Sequence, residues 1–169
     1  HLTPIVDSLD RMAEIISDTL TLAREGQVVS DPEPMALLNV VGTSWKNVRT
    51  DEATIGVEDE VTITGDRSRL RHVFENLFRN ALEHGGAPVT VRVGQLGDDG
   101  IYVEDTGPGI PEDTREEVFD PGHTSASGGT GLGLTIVKRI AEAHGWQVAV
   151  VDGTEGGARF EFTDVDLAQ

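Results

Sequence analysis

Two asparagines, one aspartate and a run of glycines are the residues of this 169-residue chain whose types and spacing could do chemistry. Asn76 and Asn80 stand four apart, on one face of an expected helix and beside its apolar stripe. Asparagine suits helix interiors poorly because its side chain competes for backbone hydrogen bonds, so two in register ask for a reason. Their amide oxygens can ligate a hard cation or accept from a ligand water, and their NH2 groups can donate to phosphate. Taken alone, the pair reads as readily as exposed amides or a buried amide couple. Asp105 is in phase with Ile101 and Val103 in a period-two segment, on the buried side of a strand. A buried carboxylate is costly unless a donor meets it. Thr106-Gly107-Pro108-Gly109 follows, a tight turn without bulky side chains. An acid at the foot of a glycine-walled pocket can accept from an exocyclic amine such as that of adenine. The plain alternative is a solvated aspartate at a strand end. The third group, Gly128-Gly129-Thr130-Gly131-Leu132-Gly133-Leu134, runs straight into an expected helix. Its glycines let backbone N–H groups approach an anion, and the helix start adds a favourable partial charge. It lacks the Lys-Ser/Thr of a Walker loop, and the glycine spacing of a dinucleotide fingerprint.

The elements that must position these groups follow from periodicity. Residues 1–26 predict one helix, with Leu2, Ile5, Val6, Leu9, Met12, Ala13, Ile16, Leu20 and Ala23 recurring near heptad spacing. Thr3-Pro4 can open it and Gly26 can end it. So narrow a seam suits a helical bundle with a second chain or a further helix; the plain alternative is a helix packed on its own domain. Residues 27–33 read as a loop. A short helix follows with Leu37, Leu38, Val41 and Trp45 inward, then two short strands within 53–64 around Glu58-Asp59-Glu60. Asp66 caps a long helix to about His84, with a core stripe of Leu70, Val73, Phe74, Leu77, Phe78 and Ala81. Val89–Val93 and Ile101–Asp105 alternate around Gly97-Asp98-Asp99-Gly100, a hairpin signal. Residues 106–131 form a long loop rich in glycine and proline, with a short helical piece near Glu112–Val118. Loops of that length inside a domain are functional or disordered. A helix over about 132–144 has Leu134, Ile136, Val137, Ile140 and Ala141 inward, and Gln147–Val151 and Arg159–Thr163 close the chain as strands. The order predicts an α+β fold, a two-layer α/β sandwich with one sheet face covered by helices.

Composition narrows the function classes. Thirty acids against 13 bases give a formal charge of −17, which argues against a duplex nucleic-acid binder. Without cysteine, disulfides, thiolate metal sites and thiol nucleophiles are excluded. No apolar run approaches the roughly 20 residues of a membrane span. The chain opens on His1, so we expect a piece of a longer protein, cytoplasmic here, whose parent can be membrane-anchored. Only Lys46 and Lys138 are lysines. Few lysines and a large acidic excess resemble proteins of salt-loving organisms, where salt screens self-repulsion.

The order of the groups is more specific than any one of them. Asn76-x3-Asn80-Ala81, then Asp105-x-Gly107-x-Gly109, then Phe119 in Val-Phe-Asp-Pro, then Gly129-Thr130-Gly131-Leu132-Gly133-Leu134 resembles the ATP-binding domain of sensor histidine kinases. These match its N, G1, F and G2 boxes, in sequence, within a match from about residue 34 to 163. The superfamily also includes DNA gyrase, heat-shock chaperones and mismatch-repair ATPases. Residues 1–26 look like the second helix of the family's dimerisation and phosphotransfer hairpin, leaving 27–169 as the catalytic domain.

The resemblance implies the Bergerat ATP-binding fold, a mixed sheet backed by helices, with ATP and Mg2+ as ligands. Asn80 would ligate the metal and Asn76 would lie close to metal and phosphates. Asp105 would take the adenine amine, with Gly107 and Gly109 making room for the ring. Gly129, Thr130, Gly131, Leu132 and Gly133 would cradle the triphosphate. Residues 111–130 would form a mobile lid anchored by Phe119. Partners would be a response regulator's receiver domain, the chain's own phosphotransfer hairpin and a second copy in a homodimer. Two positions depart from the pattern. Glu83 stands where the family often has Lys or Arg, so phosphate contacts fall to His84, the metal, the lid or the glycines. Ala158 follows Gly157 where the family often has a hydroxyl that helps hold adenine through water. His1 precedes Leu2 and not the acid that follows a phosphoacceptor histidine, so the acceptor is expected outside the chain and no catalytic residue is assigned within it. His144 is expected to be structural or exposed, or to favour a helix end when protonated. The alternatives are a superfamily ATPase or an anti-sigma-type serine kinase. Both tend to keep a Glu four residues before the metal asparagine, where this chain has Asn76.

Overall fold

Asp66 starts the helix that carries both asparagines. The computed structural model describes residues 3–25, 29, 31–48, 53–84, 88–120 and 133–168. In it Asp66 Oδ1 accepts the Arg69 N–H at 3.1 Å, satisfying one of the donors a helix start leaves open. The helix, α3 (Arg67–His84), buries Leu70, Val73, Phe74, Leu77, Phe78 and Ala81 as its spacing requires. Each such large side chain contributes roughly 1.5–3 kcal/mol on burial. Phe78 meets Trp45 of α2 (Leu37–Lys46) edge-on at 5.2 Å. Beside α3 lies α4 (Gly133–Ala143), with Ile136, Val137, Ile140 and Ala141 buried and Leu134 packed against the core.

These helices cover one face of a five-stranded mixed sheet ordered β2-β4-β5-β7-β6. Its strands are β2 (Ala53–Val57), β4 (Val89–Leu96), β5 (Gly100–Asp105), β6 (Gln147–Asp152) and β7 (Ala158–Thr163). Only β2 and β4 run parallel; the other pairs are antiparallel. This is the expected sandwich. The central strand β5 is buried on both faces, so Tyr102 and Glu104 are covered as well as Ile101, Val103 and Asp105. On the face away from the helices, Gly94 makes room for Tyr102, since a Cβ there would lie 2.5 Å from the phenol oxygen. The Tyr102 hydroxyl donates to Glu58 at 2.6 Å. Burial first, then this bond, pushes its pKa well above the usual phenol value.

Three expectations are corrected. Two strands were not foreseen, β1 (Glu33–Ala36) and β8 (Leu167–Ala168), which flank β3 (Thr62–Gly65) in a second, antiparallel sheet. At four and two residues they are too short to show alternation. β2 and β3 do not pair with each other around Glu58-Asp59-Glu60, because the chain there crosses from one sheet to the other. Leu38 is 52% exposed, since the buried face of α2 is Leu37, Val40, Val41 and Ser44, and Leu38 lies off it. In α1 (Thr3–Glu25), which also contacts α4, the apolar residues Ile5, Val6, Leu9, Met12, Ile15, Ile16 and Leu20 are exposed. No helix among the described residues is long and apolar enough to cross a membrane.

His144, just past α4, ties the two site-bearing helices together. Its Nε2 accepts the Asp66 N–H at 2.9 Å, and its Nδ1 lies 2.8 Å from the Ile140 carbonyl. Only the neutral ring with its proton on Nδ1 makes both bonds. Burial, the largest effect, holds its pKa below the ordinary histidine value against the Ile140 carbonyl and Asp66, with Arg69 adding to the depression. His144 is therefore a neutral structural residue and not a charge at a helix end. The stability from this lowered pKa is present above the unfolded value of about 6.5 and is lost as pH falls through the folded value. Urea unfolding of the chain and of His144→Gln from pH 8 to pH 5 should show their difference narrowing with acid. A constant difference would refute the latch.

Candidate functional site

The N-terminus of α4 meets the middle of α3. The Asn76 NH2 donates to the His72 carbonyl at 2.8 Å, which leaves the amide oxygen facing α4. A Cβ built on Gly133 would lie 3.2 Å from Asn76 Oδ1, closer than side chains ordinarily pack. The open donors of a helix start thus stand next to a neutral oxygen, and Asn80 follows one turn later, half-buried. Such a corner can hold an anion at the helix start and a hard cation at the amides. Glu75, one position before Asn76, is turned elsewhere. Its carboxylate accepts from Asn47 at 3.0 Å and pairs with Arg71 at 3.3 Å.

The second half of the site lies at the end of β5. Asp105 is buried, and its Oδ1 accepts the N–H of Gly107 at 2.9 Å and of Ala158 at 3.3 Å. Those bonds fix the carboxylate's orientation and offset its desolvation. Two glycines let the backbone crowd this acid. Gly109 has φ +83°, and a Cβ on it would lie 3.0 Å from the Gly156 carbonyl oxygen. A Cβ on Gly157 would overlap the Asp105 carbonyl and lie 2.6 Å from Asp105 Oδ1. The result is a carboxylate with walls of backbone, an arrangement able to accept from the amine of a flat base.

Phe119 joins the two halves. It is buried in a short 3-10 turn, Glu117–Phe119, and meets Phe160 of β7 edge-on at 6.3 Å. Its carbonyl accepts the Thr135 hydroxyl at 2.8 Å. Thr135 is two residues past Gly133, and Phe160 two past Ala158. The Lys138 ammonium lies 5.9 Å over the Phe119 ring. Thus Asn76 and Gly133 come together, Asp105, Gly107 and Gly109 come together, and Phe119 lies between. Gly129, Thr130, Gly131, Leu132 and the His84 side chain lie outside the described residues, as does the lid beyond residue 120. Two turns, Glu112–Thr114 and Glu117–Phe119, stand where one helical piece was expected. Sequence reasoning missed Thr135, Glu104 and Arg115. The Arg115 guanidinium bonds the Ile110 carbonyl at 3.2 Å, holding the base of the lid, and reaches the exposed Asp152 of β6. Nothing local in the sequence marks these pairings.

The sequence profile of the histidine kinase-, DNA gyrase B- and HSP90-like ATPases matches residues 65–169. A signal transduction histidine-protein kinase of Streptomyces coelicolor, AfsQ2, is 40% identical over 166 residues, covering 95% of this chain and 30% of its own. Among solved structures, the mycobacterial sensor histidine kinase MprB aligns with a TM-score of 0.67 at 28% identity, over 81% of this chain and 97% of that one. Full-length ShkA in complex with AMPPNP aligns with a TM-score of 0.77 at 26% identity, over 99% of this chain and 38% of that one. The chain spans about a third of the length of the curated relatives it matches. With the profile covering well over half of its residues and the fold shared with solved kinases, the chain belongs to the family of histidine kinase-, DNA gyrase B- and HSP90-like ATPases.

Proposed function

We propose that the chain is the ATP-binding catalytic domain of a sensor histidine kinase, whose γ-phosphoryl goes to a histidine outside residues 1–169. The observation that carries this is the buried Asp105 carboxylate, oriented by two backbone N–H groups between glycine walls. The related kinases named above, one of them solved with AMPPNP, support it. Asp105 accepts from the adenine amine, and Gly107 and Gly109 leave room for the ring. Gly129, Thr130, Gly131, Leu132 and Gly133 present N–H groups to the phosphates. Phe119 anchors the lid, and His84 stands in for the cation that Glu83 replaces. Asn80, with Asn76 beside it, is of the right donor type for Mg2+. Neutral amide oxygens suit a cation that arrives with the triphosphate, and no group of three or more His, Cys, Asp or Glu that could hold a metal stands among the described residues. Bound there, Mg2+ would neutralise charge on the phosphate oxygens.

Residues 1–26 then belong to the phosphotransfer hairpin and 27–169 to the catalytic domain. The exposed seam of α1 serves a homodimer, and a response regulator's receiver domain takes the phosphoryl group, with no nucleic acid involved. The domain works in the cytoplasm, from a parent that can be membrane-anchored. A high-salt habitat is read from composition alone, and unfolding in molar salt would check it. The test of the nucleotide site is calorimetry. ATP and ADP should bind, while GTP should not, because its 6-oxo group faces the carboxylate without a donor. Asp105→Asn should weaken ADP by about 1.5–3 kcal/mol, the range for a hydrogen bond to a charged group. Equal affinity for GTP would refute the role of Asp105.

A further inference from the structure

Glu104 is a buried carboxylate that the chemistry above does not use. It precedes Asp105 in the central strand, points to the opposite face of the sheet, and is 6% exposed. A charge so placed needs donors. It finds them on the turn between β6 and β7. Its Oε2 accepts the Thr154 N–H at 3.0 Å and its Oε1 accepts the Thr154 hydroxyl at 3.1 Å. Across the ladder its partner is Arg159, with Nη1 3.7 Å away. Arg159 is itself held, its guanidinium 3.9 Å over the Tyr102 ring and its Nε donating to Glu161 at 2.9 Å.

The turn is otherwise lightly secured. Gly153 N–H closes it onto the Gly157 carbonyl at 2.6 Å, and Thr154, Glu155 and Gly156 are exposed. Its other ion pairs, Arg92 with Glu155 and Arg115 with Asp152, involve exposed acids and contribute little. Yet this turn shapes the pocket. It sets Gly157 against Asp105, leads into the Ala158 N–H that orients Asp105 Oδ1, and places the Gly156 and Gly157 carbonyls against Gly109.

We propose that Glu104 is a positioning residue for the nucleobase: by anchoring Thr154 it holds the turn 153–157 against β5, and so holds Asp105 and Gly109 in the geometry that reads adenine. This rests on the adenine role of Asp105 given above. Glu104 touches no substrate and acts only through the turn.

The test uses Glu104→Ala, Thr154→Ala and the double variant of this chain. Without nucleotide, exchange of the Gly153 and Ala158 amides should quicken about tenfold in Glu104→Ala, while core amides of α3 such as Leu77 keep their rates. ADP should bind about tenfold more weakly, as expected for losing hydrogen bonds to a charged group. Inorganic tripolyphosphate, which has no base, should bind as before. Thr154→Ala, at an exposed position, carries the test if Glu104→Ala does not fold. It should shift ADP binding the same way by about threefold, since one of the bonds remains. The double variant should be no worse than Glu104→Ala, because both changes break one anchor. Uniform quickening of all amides would leave Glu104 a general stabiliser and overturn the proposal, as would unchanged ADP affinity. Should the unaltered chain fail to bind ADP, the nucleotide reading falls and the nucleobase role with it, while the Ala158 exchange rate still decides whether Glu104 anchors the turn.

Discussion

Replacing Gly157 by alanine should cost the chain about 3 kcal/mol or more of stability, beyond the usual overpacking penalty, because its new Cβ has nowhere to go. That atom would lie 2.5 Å from the Asp105 carbonyl carbon and 2.6 Å from Asp105 Oδ1. A flexible side chain could swing away from such a clash, but backbone in the central strand cannot. Either β5 shifts, breaking its ladder to β7, or the turn lifts off, removing the Ala158 N–H from Asp105. Both outcomes disorder the carboxylate, so ADP affinity should drop more than tenfold where the protein still folds. Gly156→Ala is the matched control. Its φ of +90° makes alanine unfavourable, but nothing lies within 4 Å of the added Cβ, so it should lose only about 1 kcal/mol. Urea unfolding and calorimetry on the two variants measure both effects. A Gly157→Ala protein with the original midpoint and affinity would show that the close approach to Asp105 is unimportant.

The second large effect is an absence of reaction. Incubated with γ-labelled ATP, the chain should bind nucleotide yet neither turn it over appreciably nor label itself. Phosphoryl transfer is mostly positioning and charge stabilisation, so a nucleophile held in line is indispensable. Water would need a base to orient it. Where superfamily ATPases place a glutamate, this chain has Asn76, whose amide cannot take a proton at neutral pH and whose NH2 is committed to the His72 carbonyl. The adjacent Glu75 does not replace it, because Asn47 and Arg71 hold its carboxylate. Extended upstream to take in the first hairpin helix that the proposed function implies, the protein should sediment as a dimer and gain an acid-labile, base-stable phosphate typical of phosphohistidine. Robust turnover by the chain alone, abolished in Asn76→Ala, would favour the ATPase alternative. Labelling mapped to His1 would move the acceptor into the chain.

How much of this was legible beforehand depends on the range of the interaction. The helix-forming stripe of Leu70, Val73, Phe74, Leu77 and Phe78, its cap at Asp66 and the alternation ending at Asp105 are local, set by backbone period and neighbouring donors. The same locality made Asn76, Asn80, Asp105 and Gly133 recognisable as groups able to hold a nucleotide. Their order along the chain then pointed to the family. Tertiary structure decided the rest. It brought Gly133 against Asn76, separated in sequence by β4, β5 and the loop after them, and set Phe119 between Thr135 and Phe160. It divided β2 and β3 between two sheets and left Leu38 in solvent, because the face that α2 buries depends on what packs against it. It also supplied donors for Glu104 from Thr154 and Arg159, which the sequence places some fifty residues away. A carboxylate inside a strand does not disclose its partners. They are chosen by strand order, and strand order follows from how the whole sheet buries its apolar face.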